Sequence, residues 1–292
     1  MMKRAIVVSL VLAATAALLL STSRRPARDI VVERDLTYGN VAQRELKLDL
    51  AMPAMGAGPF PAVIFVHGEG WRAGNRQQMN HFIEGVASLG YIGATIEYRL
   101  VPAARFPAQV EDMKAAVRWL RANADRYRIR ADRIGVVGFS AGGYLASMLG
   151  VTGPSDGLEG DGGNAQVSSA VQAVVSFFGP TDFSTRDWPS ALETEVIVPF
   201  LGGSFADRPD VYARASPINY ASGRAPPFLF FHGTNDELVP VDQSRRLAGK
   251  LKHHGVPSRL VELQGEAHGF SDATNQKAMQ QMLDFLDETL KR

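Results

Sequence analysis

The sequence predicts an α/β fold: a mostly parallel, twisted sheet of about eight strands with helices on both faces and no large cap domain. Three observations carry that expectation. Short apolar runs alternate with helical stretches from about residue 30 to the end, as strand-helix-strand crossovers do. The chain has 292 residues, 46% of them hydrophobic, which is enough to bury the core of one large domain. A sharp strand-to-helix turn is written into Gly138-Phe139-Ser140-Ala141-Gly142, between the apolar run at 134–137 and an Ala-rich stretch.

The elements follow in order. Residues 1–23 read as an export signal, with Lys3 and Arg4, the apolar run Ala5 to Leu20, then Ser21-Thr22-Ser23. The 16-residue run is long for a cleaved signal and slightly short for a span, and Arg24, Arg25 and Arg28 follow it. An uncleaved inner-membrane anchor is therefore the alternative to a periplasmic or secreted product. Residues 24–29 form a linker and 30–292 a single α/β domain.

Polar and apolar residues alternate over 31–36 and 46–52, which predicts an antiparallel edge pair. Buried strands are expected over 62–66, 92–96, 134–137, 171–177, 228–231 and 259–263. Met113, Ala116, Val117 and Leu120 recur at helical spacing, as do Met279, Met282, Leu283, Leu286 and Leu290; both stripes read as core packing. Residues 183–220 are the expected cover over the site, short for a lid, so the site should be open. The Gly-rich segment 153–163 carries Asp156, Glu159 and Asp161, oxygen donors of the kind calcium takes. Their spacing does not fit an EF-hand loop, and a solvated loop is the better reading.

Composition excludes several classes of function. With no cysteine, there is no disulfide framework, lipoprotein attachment or thiol nucleophile. Without residues 1–23 the basic count falls from 31 by two to 29 against 30 acids, a net charge of −1. That balance points to neither nucleic acid nor an anionic membrane surface.

A strained turn with small neighbours holds Ser140 out where a substrate can reach it. A serine hydroxyl needs a base, and His268, in a Gly-flanked loop after the last strand, is the candidate. The other histidines have structural readings: His81 in a helix, His253 and His254 near a helix end, His232 immediately after a strand, His67 in the loop after 62–66. Asp236 is the candidate to orient the imidazole, with Glu237 and Asp242 as rivals and Asp242 expected to open a helix. Asp112 and Asp182 read as structural. The backbone N–H of Ala141, with those of Glu69 and Gly70, is expected to form an oxyanion hole. Trp71, Phe139, Trp188 and Phe270 are candidates for the substrate pocket. The chain order, oxyanion loop then Ser then Asp then His, is that of the α/β-hydrolase fold.

The run YRLVPAARFPAQVEDMKAAVRWLRANADRYRIRADRIGVVGFSAGGY at 98–144 resembles the esterases of the α/β-hydrolase superfamily, in particular the bifunctional feruloyl and acetyl-xylan esterase-like family. HGEGWRAG at 67–74, FFGPTDF at 177–183 and HGTNDELVPVDQS at 232–244 extend the likeness over nearly all of the chain after about residue 30. The resemblance implies Ser140 as nucleophile with Asp236 and His268, the 68–70 loop with Ala141 as oxyanion hole, and ester hydrolysis without metal or cofactor. The implied substrates are acetyl or feruloyl esters of xylan-type carbohydrate. A general small-molecule carboxylesterase of the hormone-sensitive-lipase type is the alternative, although that group usually carries an N-terminal helical cap. A prolyl-oligopeptidase-type peptidase is disfavoured, since no propeller precedes the domain. A non-catalytic binding protein on a hydrolase scaffold is the remote alternative. The chain departs from the family at one point: the loop usually reads His-Gly-Gly-Gly-Trp, and Glu69 stands here in place of its middle glycine.

Overall fold

The computed structural model describes residues 29–185 and 187–292; the expected export signal and nearly all of the linker lie outside the described residues. Among the described residues no helix is long and apolar enough to cross a membrane. Eight strands form one sheet: β1 (Ile30–Val41), β2 (Arg44–Pro53), β3 (Phe60–Val66), β4 (Ile92–Ile96), β5 (Ile129–Phe139), β6 (Ala173–Phe177), β7 (Phe228–Gly233) and β8 (Ser258–Leu263). Their spatial order is β1-β2-β4-β3-β5-β6-β7-β8. The β1–β2 hairpin and the β2–β4 pair are antiparallel and all other pairs are parallel, so the antiparallel edge extends one pairing further in than the hairpin alone.

The longer helices are α1 (Asn80–Ser88), α2 (Ala108–Ala122), α3 (Ala141–Val151), α4 (Asp242–His253) and α5 (Asp272–Leu290). Successive strand side chains point to opposite faces, and both faces are covered. Ile64, Val66, Val136, Val174, Phe228 and Phe230 share one core with the apolar stripes of α2, α3 and α4. Val63, Phe65, Val137, Val175, Leu229 and Phe231 share the other with α1 and α5. Continuous apolar runs are what strands buried on both faces require.

Most strand bounds differ from the expectation by a residue or more; β1 runs on to Val41, and three further differences stand out. β5 starts at Ile129, because Ile129 pairs with Phe60 ahead of a register shift and the polar residues between stay within the strand. β6 starts at Ala173, since Gln172 is spent on Ile134: its side chain accepts from Ile134 N–H at 2.9 Å and its own N–H donates to the Ile134 carbonyl at 2.8 Å. His232 lies inside β7 rather than after it, and is fully buried.

The segment 153–163 is not the solvated loop expected. Glu159 accepts from Lys114 Nζ at 2.9 Å and from Arg118 Nη1 at 2.7 Å, and both cations are buried on α2. The two cations hold the Glu159 carboxyl below its ordinary range against the opposing effect of its own burial. Asp156 accepts from the Gly153 N–H at 2.7 Å. Among the described residues no group of three or more acids and histidines is arranged to hold a metal.

Strand order reverses between β3 and β5, whose following loops leave the same sheet edge. In open α/β sheets the crevice for a ligand forms at such a reversal, outside the carboxyl ends of the strands. The loops after β3, β5, β7 and β8 carry Glu69, Ser140, Asp236 and His268 to that edge.

Candidate active site

The turn after β5 is fixed by close contact. Ser140 has φ 53° and ψ −116°, a conformation L-residues seldom adopt. A Cβ on Gly138 would stand 2.0 Å from the Gly142 carbonyl oxygen, and one on Gly142 would stand 2.3 Å from the Val66 carbonyl oxygen. Only glycines let α3 turn back so tightly onto β5 and β3. The Ser140 N–H donates to the Phe177 carbonyl at 2.9 Å, tying the apex to β6.

The fold links Ser140 to His268 and His268 to Asp236 by hydrogen-bond contacts. Ser140 Oγ is 2.8 Å from His268 Nε2, and His268 Nδ1 is 2.7 Å from Asp236 Oδ2. The second carboxylate oxygen, Oδ1, accepts from the N–H groups of Leu238 and Val239, each at 2.9 Å. His232, which sequence reasoning gave only a structural place, stands behind the acid with Nε2 3.2 Å from Asp236 Oδ2. Burial alone would raise the Asp236 pKa; the donors from His232 and His268 and the Val239 N–H outweigh it and hold the carboxyl well below its ordinary value. The acid thus stays ionised and can stabilise an imidazolium. Of the rival acids, Asp242 opens α4 and pairs with Arg245 at 2.9 Å.

The loop after β3 packs directly on the elbow: a Cβ on Gly68 would lie 2.8 Å from the Phe139 carbonyl oxygen. His67 is buried and stacked on Tyr98, with ring centroids 4.4 Å apart. The Tyr98 hydroxyl lies 3.0 Å from the Gly68 carbonyl and 3.1 Å from that of His67 and donates between them, which sets the peptide planes entering the loop. Burial lowers the His67 pKa to about 4, so the ring is neutral there at neutral pH. Glu69, Gly70 and Trp71 form a single helical turn, all with φ near +60°. The N–H groups of Glu69 and Gly70 open that turn and Ala141 opens α3, positions whose N–H groups have no intrahelical acceptor. They can serve an oxyanion. The position that Glu69 occupies has φ +65°, so the sequence departure falls on a backbone suited to glycine.

A cavity of about 150 Å³ opens over Ser140 and His268. Glu69, Gly70 and Arg72 line it, as do Trp71 and Trp188; the remaining wall is aliphatic, with Leu192, Val196, Ile197, Leu238 and Val239. Residues 190–201 form one helical stretch, with a π turn over Glu193–Ile197, and supply the cover. Trp71 stacks on Phe200 of that stretch at 4.0 Å, and Arg72 Nη1 donates to the Glu195 carbonyl at 2.9 Å. The cover is therefore fastened to the loop after β3.

Two pocket expectations need correction. Phe139 does not line the cavity: it alternates to the other sheet face, stacked between Phe82 at 5.2 Å and Phe177 at 4.7 Å. Phe270 does not line it either, and packs edge-on against Phe178 at 5.3 Å. Phe178, with φ 41°, is the ring that contacts His268, at 4.6 Å between centroids. The sequence signal for Phe178 is its place directly after β6 and before Gly179-Pro180.

Sheet order, elbow and edge loops define the chain as an α/β-hydrolase. Residues 48–251 match the BD-FAE family, and the chain belongs to it. It is 34% identical over 222 residues to Esterase LipC of Mycobacterium tuberculosis, a match covering 73% of this chain and 53% of that protein. Thus the chain spans about half the length of the curated relatives it matches. Among solved structures, a truncated carbohydrate esterase from gut microbiota superposes with TM-score 0.77 at 26% identity, over 92% of this chain and 99% of that one. The esterase Est2 of Thermogutta terrifontis with butyrate bound superposes with TM-score 0.73 at 28% identity, over 88% of this chain and 92% of that one.

Proposed function

We propose that this chain is an exported serine esterase that removes acetyl or feruloyl groups from xylan-type carbohydrate. The observation that carries the reading is the unbroken contact from Ser140 Oγ through the His268 ring to Asp236 Oδ2, at 2.8 and 2.7 Å. As Ser140 Oγ attacks the ester carbonyl, His268 Nε2 takes its proton and the imidazolium is stabilised by Asp236. Collapse of the tetrahedral intermediate expels the alcohol, which takes that proton, and leaves an acyl-Ser140. Water attacks the acyl-enzyme with His268 again as base, releasing the acid and restoring Ser140. Donors in an oxyanion hole are typically each worth about 3 kcal/mol of transition-state stabilisation.

The likeness to a carbohydrate esterase supports a sugar alcohol, and the polar mouth at Glu69 and Arg72 accords with it. The aliphatic wall of Leu192, Val196 and Ile197 supports the second reading, a general carboxylesterase for short acyl esters. Turnover of acetylated xylan, a feruloyl ester and p-nitrophenyl butyrate, with Ser140→Ala as blank, decides between them. Release from the butyrate ester alone selects the second reading; ester turnover surviving in Ser140→Ala ends both. The export expectation rests on Ala5 to Leu20 and is tested by fractionating cells that express the full chain.

A further inference from the structure

Glu69 holds a backbone conformation, φ +65°, that a residue with a Cβ adopts only under strain. Its side chain is not loose. Gln78 Nε2 donates to Glu69 Oε1 at 2.6 Å, and Gln78 is itself fixed, its Oε1 accepting from the Asn75 N–H at 3.1 Å. One carboxylate oxygen is thereby clamped, while the other, Oε2, makes no hydrogen bond or ion pair with the described residues. The residue lines the cavity that holds Ser140 and His268. Arg72 lines the same mouth, anchored to the Glu195 carbonyl, so the local charge is balanced. A neutral ligand that offers a hydrogen-bond donor suits this mouth better than an anion or a cation, because either ion would meet a like charge there.

We propose that Glu69 is a specificity-determining residue: its free carboxylate oxygen accepts a hydrogen bond from a hydroxyl next to the acylated oxygen, and so selects esters of polyols and partly acylated sugars. The inference rests on the ester-hydrolase reading and narrows it to alcohols that carry a neighbouring hydroxyl. An O–H donated to an ionised carboxylate is short and among the stronger hydrogen bonds, and one made in the transition state appears in kcat/KM.

The test uses two nearly isosteric acetates, 2-hydroxyethyl acetate and propyl acetate, with wild type, Glu69→Gln and Gln78→Leu. The quantity read is the kcat/KM ratio of the hydroxyl ester to the plain one. Intrinsic reactivity and any general damage to the oxyanion loop affect both esters and divide out. Glu69→Gln replaces the free acceptor by an amide and should lower the ratio about tenfold, the scale of one hydrogen bond to a charged group. Gln78→Leu leaves the charge but frees its aim, and should lower the ratio about threefold. A ratio within twofold of wild type in both variants overturns the proposal, even if both esters slow together, since that pattern marks a purely structural clamp. Turnover of both esters that persists in Ser140→Ala is the separate failure of the hydrolase reading.

Discussion

His232 can be tested by removing one N–H group. Its Nε2 lies 2.8 Å from the Val239 carbonyl, which can only accept, so Nε2 carries the hydrogen; Nδ1 then accepts from the Ser244 hydroxyl at 2.7 Å. The same Nε2–H lies 3.2 Å from Asp236 Oδ2, the oxygen that His268 also uses. His232 therefore ties the acid to the turn at 236–239 from behind. His232→Leu removes that donor, whereas His232→Gln can place an amide N–H near the Nε2 position. A hydrogen bond to a charged group contributes about 1.5–3 kcal/mol, and the low end applies because the N–H is shared and three other donors serve the carboxylate. In steady-state ester hydrolysis, His232→Leu should lower kcat roughly tenfold with KM within about twofold, and His232→Gln should stay within about threefold of wild type. Equal losses in the two variants, or an unchanged kcat in His232→Leu with the fold intact by circular dichroism, would show that the acid does not depend on this donor.

Two further outcomes concern stability. His67 is neutral in the fold down to about pH 4, against an ordinary value of 6.5, so between those values the unfolded chain binds a proton that the native state refuses. Stability must then fall as pH drops from 6.5 to about 4, by about 3 kcal/mol in total at 1.36 kcal/mol per pH unit. Urea unfolding at pH 7, 5.5 and 4 should show this loss in wild type beyond that in His67→Asn, and parallel curves would count against it. Glu159→Gln leaves the fully buried Lys114 and the nearly buried Arg118 with a neutral partner. Breaking a buried pair costs about 3–5 kcal/mol, and since Glu159 is itself 28% exposed the expected loss is about 2–3 kcal/mol in urea denaturation. A loss under about 0.5 kcal/mol would return segment 153–163 to an ordinary surface loop.

Residues whose role is set by the backbone were legible in the sequence. Ser140 is marked by glycines that only a tight strand-to-helix turn needs, and Asp236 and His268 follow apolar runs short enough to be buried strands. The central strands and the stripes of α2 and α5 were legible for the same reason, since a two-residue or a 3.6-residue period is a local property. Roles set by what a side chain meets across the sheet were not. Phe139 and Phe270 are aromatic residues beside candidate catalytic positions, yet strand alternation sends the first to the far face and the second packs edge-on against Phe178. His232 read as a residue immediately after a strand; its value depends on Asp236 coming back four residues later to meet the same ring. Glu159 read as part of a solvated loop, and no local pattern set Lys114 and Arg118 apart on α2. The two cations are buried because the loop at 153–163 folds over α2, a contact separated by some forty residues that no local period records.

Glu69 stands between these two cases. The sequence marks it, since glycine is the usual residue at that point of the loop, but whether the substitution is costly depends on a dihedral angle that the sequence leaves open. At φ +65° the cost is real, about a kilocalorie per mole or more relative to glycine. Strain at a site has to be offset by contacts around it, and here the offset is visible: Gln78 and Asn75 form a small scaffold behind the carboxylate, and the loop is fastened by Tyr98 below and by Trp71 against Phe200 above. A side chain with no task at the site would need no such scaffold. Glu69→Gly should therefore relax the loop and raise thermal stability slightly while removing selection for a neighbouring hydroxyl. A variant both more stable and equally selective would leave the strained conformation without a function.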